Sequence, residues 1–373
     1  MHALSLAALL AASFLHDPGH DPTHDPADPH AHSHGAAQES DWSAAPLSET
    51  PVYVGEGATR YRWDSTWLQL PEGRDWLGST HGCLVVDAKG RLYLSVDRGA
   101  AILVYAPDGT LERTIGDDWG AGVHGLSLVT ERAADGTVSE RLFVVNTSRQ
   151  EVLELDSDGK VVLRIGLPAE SGKYPDPSRY RPTSVAVAPD GDVFVADGYG
   201  LSWIHRFSAD GTYEASFGGP GEEPSNLRTP HGLWMETSGG EPSLLVADRE
   251  NHRIARFSLD GRFLGGTDSE SGLLRRPCHL QREGEHYVVA DLAGRVTLLD
   301  SALKLVTHLG DNPDASQRAK FDVKPQDWRE GAFCAPHCAR ANAKGEIFVM
   351  DWNVAGRVTR LVPAPEEPAT KDE

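Results

Sequence analysis

Arg181-Pro182-Thr183-Ser184-Val185-Ala186-Val187-Ala188-Pro189-Asp190-Gly191-Asp192-Val193-Phe194-Val195-Ala196-Asp197 carries the pattern that decides the architecture. Val185 and Val187 alternate as the inward positions of one strand, and residues 193–196 read as the next. Asp190-Gly191 between them is a hairpin signal, because glycine adopts positive φ without steric cost. A loop follows, then a strand over residues 204–207, a second turn at Asp210-Gly211 and a fourth strand near residues 213–217. Four antiparallel strands in about 45 residues make one blade of a β-propeller.

The position held by Thr183 can be followed through the chain. It reads His81, His124, Thr183, His231, Cys278 and His337, six copies roughly 51 residues apart. Asp-Gly turns recur at Asp108-Gly109, Asp158-Gly159 and Asp260-Gly261. An all-β, six-bladed propeller over residues 51–363 is therefore expected. The last copy stops after three strands. Its fourth is expected from residues 61–70, because pairing the two ends of the chain closes the ring and removes an open sheet edge. Residues 311–332 interrupt the spacing between the fifth and sixth copies and have the length of a lid or binding loop.

Composition agrees with many short strands and tight turns: 38 Gly, 24 Pro and nine Trp in 373 residues. A net charge of −20 repels phosphate backbones and argues against a nucleic-acid partner. Residues 1–15 are an apolar run too short to span a bilayer. They read as the core of a secretory signal, with Ala11 and Ser13 as the small-residue cleavage pattern, although no Lys or Arg precedes them. A secreted or periplasmic location without a membrane span is expected. Residues 16–50, rich in His, Asp, Pro and Ala, read as a disordered linker that could capture metal weakly, and residues 364–373 as a disordered acidic tail. Four cysteines, Cys83, Cys278, Cys334 and Cys338, show no disulfide framework.

In a propeller the start of each blade's first strand and the end of its second lie on the same face. The tracked residues therefore face Asp97-Arg98-Gly99, Asn146-Thr147, Asp197-Gly198-Tyr199, Asp248-Arg249-Glu250, Asp291-Leu292 and Asp351-Trp352 around the channel mouth. The recurring aspartates are expected to be turn caps. Blades two, four and six are about 120° apart in a six-bladed ring. His124, His231 and His337 should then surround the axis, and three imidazoles with an open fourth position suit catalytic zinc. The other account is that this position tolerates histidine for its hydrogen bonds, and His81 fits it.

The sequence resembles the NHL-repeat propellers and, more narrowly, the lyase domain of the peptidylglycine alpha-amidating monooxygenases. The resemblance covers roughly residues 75–362. It is carried by Val195-Ala196-Asp197-Gly198-Tyr199, Thr229-Pro230-His231-Gly232-Leu233 and Val246-Ala247-Asp248-Arg249-Glu250-Asn251-His252-Arg253-Ile254. It implies zinc on His124, His231 and His337, a catalytic Tyr199, and essential arginines at Arg98 and Arg249. The family carries Asp after its third zinc histidine, where it also supports a structural calcium. Here that residue is Cys338, which counts against calcium. Cys278 or Cys334 could pair with Cys338, a thiolate could join the metal, or all three could be inert buried thiols.

The implied reaction cleaves a carbinolamide into an amide and glyoxylate, with a small-molecule or peptide substrate bearing a carboxylate and a monomeric enzyme. Two other readings stand beside it. One is a non-catalytic NHL propeller that binds a protein or peptide. The other is a lactonase-like, metal-dependent hydrolase, which would call for carboxylate and Asn ligands in the channel.

Overall fold

The computed structural model describes residues 39–132 and 135–366. The apolar run at 1–15, the histidine-rich stretch up to residue 38 and the acidic tail from 367 lie outside the described residues. Six antiparallel sheets follow one another along the chain. Blade 1 comprises Leu84–Val86, Leu92–Ser95, Ile102–Tyr105 and Leu111–Ile115. The inner strands of blades 2 to 6 are Val123–Arg132, Ser184–Val187, Pro230–Glu236, Pro277–Glu283 and Pro336–Ala341. Apolar layers lie between consecutive blades: Phe143 and Val145 meet Val185 and Val195, while Phe194 and Ala196 meet Leu233 and Leu244. A strand buried on both faces has no solvated side, which is why second strands such as Val193–Ala196, Ser243–Asp248 and Ile347–Asp351 read as nearly continuous apolar runs.

Blade 6 is built from both ends of the chain. Its order is Pro336–Ala341, Ile347–Asp351, Arg357–Pro363, then Tyr61–Asp64 and Tyr53–Val54. Trp63 lies opposite Leu361 and Asp64 opposite Arg360, whose guanidinium contacts the Asp64 carboxylate at 2.6 Å. The closing strand expected over 61–70 ends at Asp64 because the chain then crosses to blade 1. Trp67 packs on Phe348 of blade 6, donates its indole N–H to Pro107 O of blade 1, and Gln69 N–H bonds Gly109 O.

The aspartates that end the second strands act as caps. Asp197 accepts the backbone N–H of Arg181, Asp248 that of Arg228, Asp291 those of Arg275 and Arg276, and Asp351 those of Cys334 and Ala335. Each ties the segment entering an inner strand to the end of the strand beside it. Residues 39–50, assigned by composition to the linker, make specific contacts with the 311–332 insertion. Ser43 N–H bonds Gln326 and Ser48 N–H bonds Glu330, while Trp42 meets Trp76 edge-on. No helix among the described residues is long and apolar enough to cross a membrane.

Candidate metal centre

The inner strands do not run in simple register past the channel mouth. Pairing skips one residue in four blades, between Val123 and Gly125, Pro230 and Gly232, Pro277 and His279, and Pro336 and Cys338. The residue left out of the ladder is His124, His231, Cys278 or His337. A bulge of this kind re-aims one side chain without ending the strand.

Glycine follows the bulged histidine in blades 2 and 4 for a steric reason. A Cβ on Gly125 would lie 2.6 Å from Thr183 O, and one on Gly232 would lie 2.3 Å from Cys278 O. Those same carbonyls orient the imidazoles. His124 Nδ1 is 2.8 Å from Thr183 O, His231 Nδ1 is 3.2 Å from Cys278 O, and His337 Nδ1 is 2.7 Å from Gly82 O. A carbonyl can only accept, so each ring carries its proton on Nδ1 and keeps its Nε2 lone pair for the axis. The three ring centroids form a near-equilateral triangle with sides of 4.7, 4.9 and 4.7 Å. Burial, followed by the neighbouring His337, Arg249, His124 and His279, holds His231 well below the ordinary imidazole range. It is therefore neutral, as a metal ligand must be.

Tyr199 reaches this cluster from the loop after the second strand of blade 3. Its hydroxyl is 3.2 Å from His124 Nε2, 2.9 Å from His231 Nε2 and 3.2 Å from His81 Nε2. Asp197 holds that loop by accepting the N–H groups of Arg181 and Leu201. Behind it Tyr174 bonds both Asp197 and His205. Burial pushes the Asp197 carboxyl up to about 7 and, with Lys173, pushes His205 down to about 3.

Arg249 is buried, donates to the Tyr199 oxygen at 3.4 Å and lies over the Tyr199 ring at 5.5 Å. Glu250 bridges it to Arg276. Burial raises the Glu250 carboxyl, but the two guanidinium groups more than offset this and hold it below the usual range. Arg98 is placed differently: its half-exposed guanidinium is ion-paired with Glu39 at 2.8 Å.

His81 belongs to the same cluster, with imidazole nitrogens of His81, His124 and His337 all within 4.8 Å of one another. Its ring packs on Trp352, which stacks on Phe321 of the long insertion with centroids 4.8 Å apart. The 311–332 segment thus borders the channel mouth. Cys278 lies beside His231 and His337, with its thiol pushed up to about 12 by burial. Cys334 is likewise pushed up to about 12 by burial and contacts Arg357. The neighbour of Cys338 is neither of these but Cys83, together with His279. Spacing did not single out Cys83 or His279, because each sits two residues or one residue past the tracked position. Sulfur at Cys338 is also not the hard oxygen donor that calcium takes.

No family model matches the chain. The probable peptidyl-alpha-hydroxyglycine alpha-amidating lyase pgal-1 of Caenorhabditis elegans is 34% identical over 191 residues, covering 48% of this chain and 51% of that protein. The peptidylglycine alpha-amidating monooxygenase of Rattus norvegicus is 35% identical over 145 residues, 37% of this chain and 14% of that protein.

The chain is a six-bladed propeller resembling the amidating-lyase domain.

The aligned region spans about half the length of the nematode relative. Among solved structures, a virginiamycin B lyase from Staphylococcus aureus superposes with a TM-score of 0.52 over 79% of this chain and 97% of that one. At 14% identity this likeness concerns the fold alone.

Proposed function

We propose that the chain is an exported, monomeric, zinc-dependent lyase that cleaves the C–N bond of a peptidyl-α-hydroxyglycine, releasing a peptide amide and glyoxylate. The observation that carries this reading is the convergence of three Nδ1-anchored imidazoles with the Tyr199 hydroxyl. Nitrogen donors with an open side fit catalytic zinc, whereas calcium would call for oxygen ligands.

A zinc ion held by His124, His231 and His337 would supply Lewis acidity to the substrate hydroxyl and lower its pKa. Tyr199, as phenolate, takes the hydroxyl proton. The O–H pair becomes the carbonyl of glyoxylate, the C–N pair leaves with nitrogen, and the proton passes to that nitrogen to complete the amide. A phenol with a pKa of about 10 is a weak base at neutral pH unless a cation favours its anion. Arg249 sits against both the oxygen and the ring of Tyr199 and provides one. Arg249 and Arg98 are the candidate partners of the substrate carboxylate. Arg249 is the one at the reacting centre, and Arg98 would have to release Glu39.

Zinc analysis of the purified protein, with glyoxylate release from an α-hydroxyglycine peptide, tests the reading. One zinc per chain and turnover, both lost in His231→Ala, support it. Full zinc occupancy with no glyoxylate release, unaltered by Tyr199→Phe, would leave a binding propeller instead.

A further inference from the structure

One residue beyond the bulged position the channel changes chemistry. Blades 2 and 4 carry Gly125 and Gly232 there, while blades 5 and 6 carry His279 and Cys338. Cys83 joins them from the start of blade 1, where its backbone pairs with Ser95. The two sulfurs and one nitrogen of His279 all lie within 4.8 Å of one another, and all three residues are buried. Neither cysteine is in a disulfide.

We propose that Cys83, His279 and Cys338 form a second metal site, separate from the histidine ring, for a soft monovalent ion, cuprous copper. His279 donates Nδ1–H to His337 O at 2.8 Å, which leaves its Nε2 lone pair uncommitted. That Nε2 is buried without a hydrogen-bond partner among the described residues, a costly arrangement unless something else satisfies it. As thiols the sulfurs face backbone carbonyls, Cys83 those of Leu84 and Leu126 and Cys338 that of Leu84, so an ion binds by displacing their protons. Leu84 N–H points at Cys338 Sγ (3.4 Å) and Arg340 Nη2 at Cys83 Sγ (3.6 Å). Arg340 is buried, and its other hydrogen bonds go to the carbonyls of Leu280 and Ala339; it has no carboxylate partner among the described residues. A buried guanidinium needs a counter-charge, and the sulfur pair is what lies beside it.

Charge and donor number select the ion. Once an ion has displaced both thiol protons, two thiolates, a neutral imidazole and one guanidinium sum to a single negative charge. A monovalent ion brings the site to neutrality, whereas a divalent ion leaves an excess positive charge in a buried channel. Structural zinc closes its shell with four ligands, and three are offered here. Thiolate donors suit cuprous copper.

The full-length reduced protein, loaded anaerobically with cuprous ion against a bicinchoninate competitor, should retain one copper per chain. Retention should fall at least a hundredfold in Cys83→Ala, Cys338→Ala and His279→Ala, and persist in His231→Ala. Melting curves identify any variant that fails to fold. Copper K-edge absorption on the wild-type protein then decides without them: sulfur scatterers are expected. Failure of the wild type to hold copper, a shell of nitrogen and oxygen alone, undiminished copper in a folded Cys83→Ala/Cys338→Ala double variant, or a Cys83–Cys338 disulfide in protein purified without reductant would each overturn the site. None of these outcomes depends on lyase turnover.

Discussion

Tyr199 has one hydroxyl proton, and its polar neighbours include the Nε2 atoms of His81, His124 and His231 and the Arg249 guanidinium. Its ring lies parallel to His81 with centroids 6.0 Å apart. Tyr199→Phe therefore removes the oxygen while keeping the packing. Glyoxylate release should fall by about 10²–10⁴, the usual worth of a positioned acid–base group, with zinc content unchanged. The neighbouring glycines allow a steric test. Gly232→Ala would set a Cβ 2.3 Å from Cys278 O and 2.8 Å from His279 Cα. Backbone cannot swing aside as a side chain can, so denaturant unfolding should show a loss of about 3 kcal/mol, with weakened zinc binding because Cys278 O orients His231. The histidine ring was legible in the sequence because His124, His231 and His337 recur at nearly equal separations of 107 and 106 residues. The carbonyl anchors were not, since they depend on which residue of each inner strand is bulged, and a one-residue register shift leaves no mark on composition. His279 and Cys83 were hidden because they sit one and two residues past the tracked position.

Blade 3 contributes Thr183 rather than a histidine, and its task is to hold the Tyr199 loop. The chain of contacts runs from Ser216 to His205, then Tyr174, then Asp197. His205 is held down to about 3 from 6.5 by burial and then by Lys173. Between those values the unfolded chain binds a proton that the folded one does not. The stabilising contribution is thus full above pH 6.5 and is lost as pH falls toward about 3. Asp197, raised to about 7 by burial, acts with the opposite sign over the overlapping range, so wild-type melting alone is a poor readout. The difference in Tm between wild type and His205→Gln isolates the imidazole. The wild type's margin over the variant should shrink as pH is lowered from 6.5 to 4, and a constant margin would show that His205 titrates normally. At this scale the strands and Asp-Gly hairpins were readable, because two-residue turns and alternation are local. The stacking of Phe321 on Trp352 was not, since it joins an irregular insertion to a different blade.

The three ring histidines come from blades 2, 4 and 6, so their mutual geometry depends on the whole circle staying closed. The seam is a single strand, Tyr61–Asp64, paired with Arg357–Pro363. Trp63 seals it, buried against Phe333 with centroids 4.5 Å apart, and Trp63→Ala should cost about 3–5 kcal/mol in denaturant melts. Starting the chain at Ser65 goes further. It removes the seam strand, exposes the edge of residues 357–363 and frees blade 6, which carries His337. The expected result is a lowered Tm, concentration-dependent light scattering from edge pairing, and loss of zinc along with stability. Low expression could mimic that outcome, and the pairing register supplies a control. Tyr61 lies opposite Pro363 and Asp64 opposite Arg360, so residues 61–64 placed directly after Pro363 through an Asn-Gly turn would form an ordinary hairpin in the native register. This rearranged chain, also beginning at Ser65, should recover most of the lost Tm and the zinc. If it folds without zinc, closure and ligand convergence are separate properties of the molecule. If both return together, the circle itself brings the three imidazoles onto one axis.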